Sequence, residues 1–287
     1  GLPVTAHGLA AALGTGLLAL LFGMLLGRRG VSHKVYETFL LLALPLVLLL
    51  ARAAYVLFRL YFFLDRPDGL ALRFWQGGYS LWGALAGFFL AGLLAARVSG
   101  VTPAHLLDRL APLGLSAVAL FRCFEGLSGQ GFGQEVAEGL RFFPLAVENT
   151  YGEWRFAIFL LQGAAALLFA VLVFRHRPAY PGASARLGLA LLCAAQLVFE
   201  SLREDEFLSF GFVRVSQLAA ALTLFALLLE GLFFRRHWRG PRHSAIALFA
   251  LLVLLIIGLE FAIDKTTLNI NLIYVTLSLA AGGLFLL

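Results

Sequence analysis

Nine stretches of about 20 predominantly apolar residues follow one another along the chain, the length needed to cross the hydrocarbon core of a bilayer. They lie at approximately 8–27, 40–58, 80–96, 103–121, 156–174, 187–203, 212–233, 244–263 and 269–287. Hydrophobic residues make up 61% of the 287 positions and charged residues 13%. Ordinary globular chains run near 45–50% and about 25%, so no soluble core can hide these side chains. The expected fold is all-α: a polytopic helical membrane bundle with the N-terminus outside. No basic n-region leads into the first run, which is expected to be a helix and not a cleaved signal. No repeat or soluble domain interrupts the pattern.

A net charge of +6 would suit nucleic acid, but its distribution excludes that partner. The basic residues sit in short connections between apolar runs, where lipid and the insertion machinery read them. The odd-numbered connections carry eleven bases, among them Arg28, Arg29, Lys34, Arg97, Arg175, Arg177, Arg186, Arg235, Arg236, Arg239 and Arg242, against one acid, Glu37. The even connections and their flanks carry nine bases and thirteen acids, including Glu204, Asp205 and Glu206. Every odd connection therefore points to the cytoplasm.

That orientation gives each ionisable residue a depth. Arg52 falls late in the second run, Arg122 and Glu125 where the fourth emerges, and Glu200 and Arg203 where the sixth emerges. Gln196 lies one turn deeper than Glu200, on the same helix face. His7 opens the first run, and 77–82 lead into the third, ending on Trp82. Five helices thus carry polar groups to the outer third of the bilayer, where ionisable residues are functional candidates because burying them is costly. Plainer readings stand beside this one. Arg52 snorkels to the interface, Glu200 and Arg203 form a local ion pair, His7 is interfacial, and Trp82 belongs to the aromatic belt. Glu230 pairs with nearby Arg235 or Arg236.

Arginines at the outer interface suit the phosphate of an anionic lipid, since guanidinium pairs with phosphate bidentately. The glycine-rich stretch after Arg122 lets backbone approach such a group closely. Few polar groups lie at the midplane, which disfavours a proton pathway or channel. Cys123 and Cys193 frame no disulfide scaffold and have no second ligand at zinc spacing, so no metal site is expected, and no cofactor motif is present.

At these residues the chain resembles the prolipoprotein diacylglyceryl transferases, over roughly residues 5–233. The family's G-G-x-S-x-H-G-G is similar to Gly77-Gly78-Tyr79-Ser80-Leu81-Trp82-Gly83-Ala84. Its R-x-x-N-x-x-N-G-E-x-W-G signature resembles Arg122, Glu125, Ser128, Gly129, Gln130, Phe132 and Gly133, with Ala111-Pro112 ten residues before the Arg. Its E-F-F-R motif looks like Glu200-Ser201-Leu202-Arg203, and its G-R-I-G-Y like Ala51-Arg52-Ala53-Ala54-Tyr55. The resemblance implies seven spans in residues 1–233, an added helical hairpin in 234–287, and a bacterial cytoplasmic membrane. It also implies transfer of a diacylglyceryl group from phosphatidylglycerol to a lipoprotein Cys thiol, with release of glycerol phosphate.

Several polar positions depart from the family pattern. Its His falls on Trp82, its first Asn on Glu125, its second Arg on Gln196, and two Tyr on Leu192 and His7. Arg122, with Glu125 or His7 as base, is the expected reactive set. Arg52, Trp82, Gly133, Gln196, Glu200 and Arg203 are expected around the headgroup. Because Gln196 cannot neutralise a phosphate and Glu125 competes for Arg122, the expectation is a protein that binds phospholipid or a partner, a lipoprotein or membrane complex, without the standard reaction. The alternatives are an active transferase and a transferase acting on another lipid or acceptor.

Overall fold

The computed structural model describes residues 6–65, 69–74, 77–204, 209–210, 213–234, 242–265 and 270–286. Arg235, Arg236, Arg239, Asp205 and Glu206, used above for orientation, lie outside the described residues. Each of the nine apolar runs is a helix: α1 (Ala6–Gly27), α2 (His33–Phe58), α4 (Leu81–Ser99), α5 (Pro103–Glu125), α6 (Ile158–Arg175), α7 (Ala183–Leu202), α8 (Val215–Phe234), α9 (Arg242–Lys265) and α10 (Ile270–Leu286). A short α3 (Leu60–Leu64) follows α2. Among the described residues, seven helices, α1, α2 and α4 to α8, are long and apolar enough to span a membrane. In α9 and α10 the apolar stretches are shorter, His243–Leu259 and Val275–Leu284.

The chain divides into two compact units, one formed by Gly1–Ser128 with Ala166–Gly188 and the other by Gly129–Ala165 with Leu189–Leu287. In the first, α2 packs closely on α4. α4 presents Gly83, Gly87 and Ala91 at four-residue intervals, all buried, a small-residue stripe of the kind that lets membrane helices approach backbone to backbone. A Cβ added at Gly87 would meet the Leu46 carbonyl oxygen at 2.6 Å and Val47 Cα at 2.7 Å. Beside this seam Phe22, Leu26, Tyr36, Phe39, Ala95 and Leu110 form a continuous core. Phe39 meets Phe88 edge-on at 5.2 Å, and the Tyr36 hydroxyl donates to the Ala19 carbonyl at 2.8 Å.

The helix ends are set by local chemistry. Ser32 and Ser80 cap α2 and α4 with their hydroxyls, Pro103 stands in the first turn of α5, and left-handed Gly100 closes α4, each a standard terminator. The cap of α7 comes from another helix. Buried Asp108 of α5 accepts from Gly182 N at 2.7 Å and Ala185 N at 2.9 Å. A carboxylate suits the positive end of a helix dipole, and it answers two backbone donors that a bilayer would leave without partners.

In the second unit, the long connection after α5 is built around a short hairpin. Strands β1 (Ala146–Glu148) and β2 (Trp154–Phe156) pair antiparallel with Val147 opposite Arg155. Asn149 closes the turn, its side-chain oxygen accepting from Tyr151 N and Glu153 N. A hydrogen bond from Arg155, aided by one from Asn149, holds the Glu153 carboxyl below its ordinary range. A second short pair, β3 (Ser209–Phe210) and β4 (Val213–Arg214), precedes α8. α9 and α10 form a hairpin around Phe249, Ile256, Ile273, Leu277 and Ala281, and Phe249 meets Phe225 of α8 at 5.2 Å.

Replacing Gly87 with Val should lower stability by about 1–3 kcal/mol, the usual cost of overpacking a filled contact. Thermal unfolding in detergent reads this directly, and an unchanged midpoint would contradict the close α2–α4 approach.

Candidate functional site

In the first unit, Arg52 is 4% exposed and does not snorkel. Its Nε donates to the Ala71 carbonyl at 3.1 Å, and one terminal nitrogen reaches the carbonyls of Gly77 and Gly78. Tyr55 and Phe63 lie within cation–π range of the guanidinium. The five fixed donors of a guanidinium suit this many-sided grip. Arg52 therefore holds the polar segment before α4 against α2, and the Ser80 amide reinforces it by donating to the Ala51 carbonyl at 3.0 Å. Trp82, in the first turn of α4, has its indole Nε1 buried without an acceptor among the described residues.

Arg122 stands in the last turn of α5, and its Nη1 lies 2.5 Å from Glu125 Oε1. Three-residue spacing puts the two side chains on one helix face. Both side chains are mostly shielded, 11% and 22% exposed, so the pair is screened by water less than a surface bridge. His7 lies in the first turn of α1; its side chain is outside the described residues.

In the second unit, Gln196 Nε2 donates to Glu200 Oε2 at 2.5 Å, both residues buried. Buried Arg203 follows α7 and donates from Nη1 to Gln162 Oε1 of α6 at 3.1 Å. Gln217 of α8 donates to Ser201 Oγ at 3.0 Å and to the Leu197 carbonyl. Arg155 of β2 meets Glu204 Oε2 at 2.6 Å. Gly133 is a packing point. Its N–H donates to the Phe156 carbonyl at 2.8 Å, and an added Cβ would meet the Leu202 carbonyl at 2.7 Å and Ile158 Cγ1 at 2.8 Å. Its N–H is thus committed to the hairpin.

Of the residues singled out from the sequence, Arg122 is brought to Glu125 and Gln196 to Glu200. Arg52 joins the segment that carries Trp82, and Gly133 abuts the end of α7 just before Arg203. Gln162 and Asp108 were missed. Each is a polar residue within an otherwise apolar run, the signal that would have found it, but their partners are 41 residues away for Gln162 and 74 and 77 for Asp108.

Helix count, apolar surface and buried cations define a multi-span helical membrane protein with polar chemistry held inside it. Residues 1–233 match the family described as prolipoprotein diacylglyceryl transferase. Two similar relatives are named phosphatidylglycerol–prolipoprotein diacylglyceryl transferase, from Streptococcus pyogenes serotype M3 and serotype M5 (strain Manfredo). Each is 28% identical over 223 residues, covering 74% of this chain and 83% of the relative. The chain belongs to the prolipoprotein diacylglyceryl transferase family.

Substituting Arg52 with Lys leaves the charge but removes the fork that grips several carbonyls at once. Hydrogen exchange across residues 77–81 should then quicken by about tenfold, as expected for losing one or two hydrogen bonds. Unchanged exchange would contradict the clamp.

Proposed function

We propose that this family member binds an anionic phospholipid in the outer leaflet of a bacterial cytoplasmic membrane and does not carry out the transfer for which its relatives are named. The observation that carries this reading is the Arg122–Glu125 ion pair. In the transfer, a Cys thiolate forms a sulfur–carbon bond to the glyceryl carbon as the carbon–oxygen bond to phosphate breaks. The thiol proton passes to a base, and the electron pair leaves on the phosphate oxygen. Positive charge at that oxygen is the main service a dry site can offer. Here the Arg122 cation already has a carboxylate on it and stands at the negative end of the α5 dipole. Gln196, where the family has its second Arg, directs its amide to Glu200 and brings no charge.

Lipid binding draws support from Trp82, whose buried indole N–H has no acceptor among the described residues. A donor left so in an apolar surrounding costs about 1–3 kcal/mol, and a phospholipid oxygen answers it. Phosphatidylglycerol is the lipid that the relatives' names indicate. In this reading residues 1–233 are the transferase-like core. Residues 234–287 are an appended hairpin, available to a lipoprotein or membrane-complex partner.

A working transferase is the second reading, favoured by the similarity to relatives that bear the enzyme's name. Glu125 would then serve as base, since the indole of Trp82 cannot. A thiol of ordinary pKa is already about 3% ionised at neutral pH, so the loss of a base is less damaging than the loss of a cation.

Purified protein, phosphatidylglycerol and a lipobox Cys peptide, followed by mass spectrometry, separate the two. The expected result is no diacylglyceryl mass shift while a streptococcal relative completes the reaction. Lipid should still be retained by the wild type, and about fivefold less by Trp82→Phe. A peptide shift that disappears in Arg122→Ala would overturn the proposal in favour of the enzyme.

A further inference from the structure

Gln162 has no counterpart among the motifs that define the resemblance, yet among the described residues of the second unit it is a deeply shielded polar group with an open valence. It is 5% exposed and sits in the second turn of α6. Its Oε1 accepts from Arg203 Nη1 at 3.1 Å, while its Nε2 is buried and meets no acceptor among the described residues. The amide cannot be turned round to remove this deficit, because Nε2 would then face the guanidinium, donor against donor. Arg203 thus fixes the orientation of Gln162, and the amide N–H is left aimed away from it.

We propose that Gln162 Nε2, beside the Arg203 guanidinium, is a binding donor for a phosphate oxygen. A neutral donor fixed in place by its bond to a buried cation matches an oxygen of a phosphodiester or phosphomonoester, to which the amide supplies direction. The hydrogen-bonded surroundings keep the donor in place. Glu204 N donates to the Phe132 carbonyl at 2.9 Å, Arg214 Nη1 donates to the Arg203 carbonyl at 3.2 Å, and the Leu202 carbonyl abuts Gly133. The chain around Arg203 is thereby held on three sides. The ligand class rests on the phospholipid reading above, whereas the assignment of Gln162 rests on its own unsatisfied amide.

The test measures phosphatidylglycerol binding to full-length protein in detergent by native mass spectrometry, with glycerol phosphate and inorganic phosphate as soluble probes. Two variants are compared with the wild type. Gln162→Glu keeps an acceptor for Arg203 but removes the donor and adds charge. Gln162→Met keeps the length and neutrality of the side chain and removes the donor, together with the acceptor for Arg203. Both should weaken binding by about tenfold or more, the effect of one hydrogen bond to an anionic oxygen, and Gln162→Glu, which keeps the Arg203 contact, should unfold at or near the wild-type temperature. Binding within twofold of wild type in Gln162→Met overturns the proposal, and a loss confined to Gln162→Glu does so too, being the effect of the added charge. If the wild type binds the soluble phosphates but not the lipid, and the variants lose that binding, the Gln162 site stands and the phospholipid reading falls. If the wild type binds none of the probes, both fall.

Discussion

A bilayer offers no water to a stray hydrogen-bonding group, so every polar atom inside the apolar span of this protein must find its partner in the protein or in a bound lipid. That constraint explains features that otherwise look unrelated. It places Asp108 on the exposed amides of α7. It turns Arg52 onto a set of backbone carbonyls, and it links Gln217 to Ser201 and Leu197. In each case a costly buried group is stabilised by several directed contacts. The same constraint makes the exceptions informative. The amide of Gln162 and the indole of Trp82 are donors that the fold holds in place and that no acceptor among the described residues answers.

In the proposed reading, one carboxylate beside Arg122 changes what the site can do without any change of fold. By the resemblance the cation takes the place of the family's signature Arg, and the three-residue spacing to position 125 is a matter of helix geometry. A neutral amide there would leave the guanidinium open to a phosphate. A carboxylate closes the pair, and an arriving phosphate must displace it or accept its repulsion. Residues 1–233 match the family, and the pair forms within one turn of α5.

Much of the fold was legible because span length and apolarity alone decide it. The expected runs differ from the helices mainly where polar residues dilute an end. α2 begins at His33 and not near residue 40, since Ser32 caps it and Val35, Tyr36 and Phe39 bury one face while Lys34, Glu37 and Thr38 occupy the rest. The hairpin of β1 and β2 was only partly legible, because its strands are three residues each and owe their pairing to Asn149 and to bonds from Gly133 and Val136. In the site, pairs within one helix turn could be read from spacing, as with Arg122–Glu125 and Gln196–Glu200. Pairs such as Gln162–Arg203 could not, because tertiary packing alone brings their helices together. Arg52 was visible as a buried charge, but its carbonyl partners have no side-chain signature to read.

The central claim is that Glu125 holds Arg122 away from phosphate, and the most direct measurement is phosphatidylglycerol affinity in Glu125→Asn, which restores the family's residue. Native mass spectrometry titration should show binding tightened by about tenfold or more, since removing one charge a few ångströms from an anion at intermediate dielectric is worth at least that much. Affinity that is unchanged or weaker would contradict the account. It would mean that the carboxylate helps the lipid or its acceptor and does not compete with it.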